Sequence, residues 1–115
     1  MILSNKAILA ILWEMYPDHP NLLPSFFSAP HTSVPFVEKP FFSREGEGIV
    51  VDTHFAGPKR RVIYQKYCEL PGFSGNYPVI GSWIIGSSAA GMGIREDTTP
   101  ITNNLSRFVP HLFRD

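Results

Sequence analysis

Residues 77–97 read Y-P-V-I-G-S-W-I-I-G-S-S-A-A-G-M-G-I-R-E-D, and this stretch decides the predicted fold. Residues 79–85 are rich in β-branched and aromatic side chains, which favours a strand, and residues 89–96 predict a second strand. Between them, G-S-S at 86–88 is typical of a tight turn. The pattern therefore predicts an antiparallel hairpin.

The second predicted strand carries small residues on one face. Because side chains alternate across a strand, four residues are expected to point the same way. They are Ala89, Gly91, Gly93 and Arg95. Glycine inside a strand lowers stability, so another group is expected to lie close to this backbone. That group is either a packed element, such as the N-terminal helix, or a ligand held by the Arg95 guanidinium, and the pattern leaves both open.

Length and composition limit the class of protein. The chain has 115 residues, of which 43% are hydrophobic and 17% charged, so we expect one folded domain, residues 1–115. The formal net charge is zero, which does not suit a protein that binds nucleic acid or an anionic membrane surface. The single cysteine cannot form an internal disulfide, and neither a signal peptide nor a transmembrane helix is predicted. These features predict a cytoplasmic protein.

Residues 4–16 are the one convincing helix in the sequence. Apolar residues recur there at helical spacing, Ser4 is expected as the N-cap, and Pro17 prevents continuation. A short helical turn is also predicted over residues 21–27.

Three strands are predicted before the hairpin and a short one after it, near Phe108. The first contains Pro40, which lacks an amide hydrogen and therefore favours a sheet edge or a strand end. The order of elements predicts an α+β fold, mainly an antiparallel sheet with one N-terminal helix. The strands are expected at 36–42, 49–52 and 62–68, with a glycine-containing loop at 43–48 and a solvated turn at 55–61.

Three basic residues stand where a phosphate is a natural ligand. Lys39 leads into the 43–48 loop, whose glycines let backbone amides approach a phosphate. Arg95 ends the small-residue face, and Lys6 lies near the start of the helix, where a cation opposes the helix dipole. Each has an ordinary alternative: a solvated lysine for the first and third, an ion pair with a neighbouring acid for Arg95. The four histidines lack metal-ligand spacing, so no zinc site is predicted.

Five motifs, in this order, resemble the glutathionylspermidine synthetase family. They are S-N-K-A-I-L-A-I-L-W-E, E-K-P-F-F-S-R-E-G, Y-Q-K-Y, N-Y-P-V-I-G-S-W-I-I-G and G-I-R-E-D-T-T-P-I-T-N-N-L-S-R-F-V-P-H. The resemblance covers residues 3–113 and is to the C-terminal part of the family's ATP-grasp domain. It implies a partial ATP-grasp fold and an amide-forming ligase, in which ATP phosphorylates a carboxylate and an amine then displaces phosphate.

The resemblance also implies roles for individual residues. Two lysines correspond to lysines that bind the nucleotide phosphates, and a mobile loop covers those phosphates. A glutamine and a cysteine fall in or beside the segment that contacts the adenine, and an arginine steadies the transferring phosphoryl group. The implied ATP-binding residues are Lys6, Lys39, Arg44, Gly46, Gln65 and Cys68, and the implied catalytic residue is Arg95.

The cofactors that the resemblance implies are ATP and Mg²⁺. The family's magnesium ligands, two acidic residues and an asparagine, are expected upstream of S-N-K, so an upstream half of the same ligase is an expected partner. Without those ligands this chain is not expected to turn over alone. The alternative is a catalytically inactive remnant that serves as a small structural or protein-binding domain. Its exposed apolar face would then be a homo-oligomer interface.

Overall fold

The computed structural model describes residues 2–44, 46–55 and 61–113, which form two compact units, Met1–Cys68 and Glu69–Asp115. Within the described residues, unit 1 contains a short 3₁₀ helix, one α-helix and four strands, and unit 2 contains three strands. The α+β class is therefore confirmed. The elements are 3₁₀ Ile2–Ser4, α1 Ala7–Met15, β1 Ser25–Phe26, β2 Phe36–Pro40, β3 Val50–Asp52, β4 Val62–Lys66, β5 Tyr77–Ile85, β6 Ser88–Asp97 and β7 Arg107–Val109.

Helix α1 is confirmed, but it begins later than predicted and Ser4 is not its N-cap. Lys6 occupies the N-cap position without a side-chain cap, and Asn5 Oδ1 accepts a hydrogen bond from the Ala7 amide at 2.9 Å. The Lys6 amide donates instead to the Phe41 carbonyl at 2.9 Å. The first amides of the helix are therefore satisfied both by the local Asn5 side chain and by a distant segment, and a local capping pattern can show only the first of these.

The helical turn predicted over residues 21–27 is wrong, because this segment supplies β1. Ser25 and Phe26 pair antiparallel with β4. The Pro24 carbonyl extends the pairing by accepting from the Lys66 amide at 2.8 Å. Pairing with a neighbouring strand has overridden the local preference of the segment.

The sheet of unit 1 has the order β1-β4-β2-β3, and all its pairs are antiparallel. The first two predicted strands are confirmed as β2 and β3, which pair as an antiparallel hairpin, and Pro40 ends β2 as expected. The predicted turn at 55–61 falls largely on residues 56–60, which lie outside the described residues.

Cross-strand partners share a face of this sheet, which assigns its buried residues to two faces. One face carries the apolar core, in which Phe36, Val62 and Tyr64 are buried together, and also the buried Glu38, the partner of Tyr64. The opposite face mixes apolar and polar side chains. The members of that mixed face are Ser25, Val37, Lys39, Ile63 and Gln65.

The sheet of unit 2 is built on the hairpin of β5 and β6, as predicted, with β7 on the free side of β6. The strand expected near Phe108 is thus confirmed. Gly86 and Ser87 connect the hairpin with φ of 55° and 67°. Two consecutive residues with positive φ are what a two-residue hairpin turn of type I′ requires.

A β-bulge interrupts the β5–β6 pairing. Trp83 pairs with Gly91, whereas the next residue, Ile84, pairs with Ala89, so Ala90 is an extra residue on β6. The predicted common face of Ala89 and Gly91 is therefore wrong, since a bulge reverses the alternation of side chains. The bulge falls where Gly91 has a φ of 131°, which residues with a side chain rarely adopt.

Across residues 2–44, 46–55 and 61–113, none of the helices has the length and apolar character needed to cross a lipid bilayer.

Candidate phosphate-binding site

Lys6 connects the start of α1 to the loop at 43–48. Its Nζ donates hydrogen bonds to the Ser43 carbonyl oxygen at 2.6 Å and to Ser43 Oγ at 2.9 Å. The side chain is half-buried. One of the two predicted phosphate lysines thus lies directly against the loop that the resemblance describes as the phosphate cover.

Lys39 lies on β2, on the mixed face of the sheet, and donates from Nζ to Gln65 Oε1 at 2.6 Å. Burial lowers the pKa of Lys39 below its ordinary value, and the positive charge of Lys6 lowers this pKa further. The structure therefore brings three of the predicted residues, Lys6, Lys39 and Gln65, into one region of unit 1.

Gln65 has a second partner that the sequence did not predict. Its Nε2 donates to Ser25 Oγ at 3.1 Å, and Ser25 Oγ donates to the Leu23 carbonyl at 2.9 Å. Ser25 is 1% exposed and Gln65 is 8% exposed. A serine in a proline-rich segment carries no local signal of this contact; only its pairing with β4 brings it there.

The other predicted residues of unit 1 lie in the 43–48 loop and just after β4. The Arg44 carbonyl accepts from the Glu47 amide at 2.9 Å, and the Gly46 carbonyl accepts from the Ile49 amide at 3.3 Å. These bonds shape the 43–48 loop, whose residue 45 lies outside the described residues. The Arg44 side chain is exposed, and so is Cys68, which follows the end of β4.

Arg95 lies in unit 2, opposite Val79 on β5 and Phe108 on β7. A shallow cavity of about 350 Å³ opens on this face. A Cβ built on Gly93 would lie 3.9 Å from the Phe108 ring, whereas one on Gly91 would meet nothing within 4 Å. Within unit 2, the Phe108 ring therefore lies beside Gly93, whereas the space beside Gly91 is open. The cavity is lined by Val79, Gly81, Ser82, Trp83, Gly93, Arg95 and Phe108.

The two acids that follow Arg95 form an ion pair and hydrogen bonds with residues of unit 2. Glu96 forms an ion pair with Arg107 at 3.0 Å, and Asp97 Oδ2 accepts from Ser106 Oγ at 2.6 Å and from Asn103 Nδ2 at 3.2 Å. The bond from Ser106 is the main reason why the pKa of Asp97 lies below its usual value.

In the part of the chain that the structure describes, no group of three or more His, Cys, Asp or Glu side chains converges as metal ligands. Magnesium that is bound with a nucleotide usually takes one or two protein carboxylates and completes its octahedral shell with phosphate oxygens and water.

The chain is similar to a family of known proteins. A family model described as glutathionylspermidine synthase preATP-grasp matches residues 1–114. The chain belongs to the glutathionylspermidine synthase family. The resemblance predicted from the motifs is thereby confirmed, while its placement in the C-terminal part of an ATP-grasp domain stays a prediction.

Several curated proteins are similar to this member of the family. A putative acid–amine ligase of Haemophilus influenzae is 43% identical over 98% of this chain and 33% of its own length. Trypanothione synthetase of Crithidia fasciculata is 34% identical over 94% of this chain and 18% of its own length. The bifunctional glutathionylspermidine synthetase/amidase of Escherichia coli is 30% identical over 96% of this chain and 20% of its own length. The chain thus spans a third or less of each of these relatives.

Proposed function

We propose that this chain contributes the nucleotide-binding part of an ATP-dependent carboxylate–amine ligase with an ATP-grasp fold. The observation that supports this most is the placement of Lys6 and Lys39 near each other in unit 1. Two ammonium groups in one region repel, and partial burial of Lys39 adds a desolvation cost, as its lowered pKa reflects. A bound triphosphate would offset both effects, because its oxygens accept hydrogen bonds from each ammonium group.

In the proposed complex each predicted residue has a distinct contact. Lys39 binds a phosphate while Gln65 holds it from the other side, and Lys6 exchanges Ser43 for a phosphate oxygen. Arg44 and Gly46 belong to the loop that covers the phosphates, and the segment from Gln65 to Cys68 lies near the adenine. Arg95 is proposed to stabilise the transferring phosphoryl group. The ligands of Mg²⁺ are proposed to come from the rest of a longer ligase.

Nucleotide titration of the chain with a non-hydrolysable ATP analogue tests this proposal by calorimetry, with and without magnesium. Lys6→Met and Lys39→Met should each weaken binding by about 1.5–3 kcal/mol, roughly 10- to 150-fold, the range for hydrogen bonds to charged groups. Arg61→Met is the control, because Arg61 is an exposed cation of unit 1 that belongs to the predicted solvated turn, and this variant should bind the nucleotide as the parent does. Equal affinity of all three variants and the parent would contradict the proposal, as would a parent that binds no nucleotide.

A second candidate function is favoured by the surface of unit 2. Four large apolar side chains on β5 are between 63% and 66% exposed, namely Ile80, Trp83, Ile84 and Ile85. Exposed apolar patches of this kind commonly mark protein interaction sites. We therefore also propose a protein-binding role, in which a second copy of the chain or an upstream half of the ligase covers this strand.

A further inference from the structure

A chain of hydrogen bonds runs from the interior of unit 1 to the Lys39 ammonium group. Ser25 Oγ donates to the Leu23 carbonyl at 2.9 Å, Gln65 Nε2 donates to Ser25 Oγ at 3.1 Å, and Lys39 Nζ donates to Gln65 Oε1 at 2.6 Å. Ser25 and Gln65 are both buried. Because water has little access to them, their polar groups depend on these partners.

The direction of each bond follows from the chemistry of the groups. The Leu23 carbonyl can only accept, so it takes the single proton of the Ser25 hydroxyl. The hydroxyl oxygen is left to accept, and the amide nitrogen of Gln65 is the group that can donate to it. Gln65 Oε1 is therefore the end of the amide that faces Lys39. A reversed amide would place two donors, Nε2 and the Lys39 ammonium group, against each other.

We propose that Ser25 is a positioning residue for Lys39, because its hydroxyl fixes the Gln65 amide so that a carbonyl oxygen always faces the ammonium group. Burial disfavours the charge on Lys39, and the charge of Lys6 acts in the same direction. A permanently oriented acceptor offsets both effects and keeps the lysine charged and aimed. The proposal rests on the proposed function only for the identity of the anion that Lys39 binds.

The first test needs no variant. NMR of the labelled parent chain should show nuclear Overhauser effects between the Gln65 side-chain amide protons and the Ser25 methylene group. The effects from the same protons to the Lys39 ε-methylene should be the weaker of the two. The opposite pattern would mean that Nε2 faces Lys39 and would overturn the assignment.

The second test compares Ser25→Ala with Ser25→Thr. The chain has four lysines, so the ¹³Cε signal of Lys39 can be assigned with single Lys→Arg variants and titrated against pH. Ser25→Ala frees the amide to rotate, so the pKa of Lys39 should fall further below its parent value, whereas Ser25→Thr keeps the hydroxyl and the parent value. Lys6, the charged neighbour on α1, is the same in all three chains. Identical Lys39 titrations in the parent and Ser25→Ala would overturn the proposal.

A Gln65→Glu background separates orientation from general loosening of the fold. A carboxylate has two acceptor oxygens and nothing to orient, so adding Ser25→Ala there should leave the Lys39 titration unchanged. A further fall in the Lys39 pKa in that background would contradict a role through the amide. If Ser25→Ala does not fold, the nuclear Overhauser effects of the Gln65 amide in the parent chain decide whether Oε1 faces Lys39. A chain that shows these results but binds no nucleotide would contradict the proposed function and leave the role of Ser25 intact.

Discussion

At the scale of single residues, Lys39 combines a predicted function with a cost to stability. Its ammonium group is partly removed from water, lies near the charge of Lys6, and is held by one amide oxygen of Gln65. A lysine of this kind is easier to neutralise in the folded chain than in the unfolded chain.

This difference predicts a pH dependence of stability. Burial, and secondly Lys6, lower the pKa of Lys39 from its ordinary value of 10.5, so the folded chain loses this proton first as the pH rises. Between the folded and unfolded pKa values the unfolded chain holds more protons, and the free energy of unfolding should therefore rise with pH in that window. Below the window Lys39 is charged in both states, and the stability gained from its deprotonation in the folded chain is lost. Urea unfolding at a series of pH values up to the ordinary lysine value measures the slope.

Two lysine variants show whether Lys39 causes that slope. Lys39→Met should remove its contribution and flatten the curve, while Lys66→Met, at an exposed position on the same sheet, should follow the parent. A slope that is identical in Lys39→Met and the parent would show that the rise comes from other titrating groups.

At the scale of elements, the connection from β2 to β3 depends on Gly48. This residue has a φ of 67°, and a Cβ built on it would lie 2.9 Å from Pro40 Cγ at the end of β2. Backbone conformation and close approach therefore both require glycine here.

Gly48→Ala is expected to destabilise the chain by about 1–3 kcal/mol, the range for a non-glycine residue held at positive φ. The midpoint of urea unfolding measures this. Pro40→Ala combined with Gly48→Ala should recover the part of the loss that comes from the clash with Pro40, once the effect of Pro40→Ala alone is subtracted. A Gly48→Ala chain as stable as the parent would mean that the loop adopts another conformation.

At the scale of the whole molecule, a neutral chain with exposed apolar strands is suited to association. The formal net charge is zero, so little electrostatic repulsion keeps copies apart. In unit 2, Trp83 and Ile85 lie on the same face of β5, and both are exposed.

We expect the isolated chain to self-associate through this strand. The weight-average mass in sedimentation equilibrium should rise with concentration, and Trp83→Ser combined with Ile85→Ser should reduce that rise. Phe42→Ser is the control, because Phe42 is an exposed aromatic residue of unit 1. A parent chain that stays monomeric at all concentrations would argue against a homo-oligomer. Loss of self-association on adding the proposed upstream half of the ligase would identify that half as the occupant.

The sequence by itself determined the class of fold, the β5–β6 hairpin and the family. Each depends on a pattern carried by neighbouring residues: alternation and β-branched side chains for the strands, Gly86-Ser87 for the turn, and contiguous motifs for the resemblance. The sequence also predicted Lys6, Lys39 and Gln65 as ATP-binding residues, and that role stays a prediction. It did not predict how the three side chains are arranged in unit 1.

Only the tertiary structure decided which group accepts from the Lys6 amide, which way Ala89 points and what holds Lys39. The Phe41 carbonyl takes the Lys6 amide, a bulge reverses the face of Ala89, and Lys39 and Ser25 reach Gln65 across separations of 26 and 40 residues. Hydrogen bonds between segments so far apart leave no local periodicity or spacing in the chain. They form because β1, β2 and β4 align in one sheet, where a buried polar group must find its partner among whatever the neighbouring strands present.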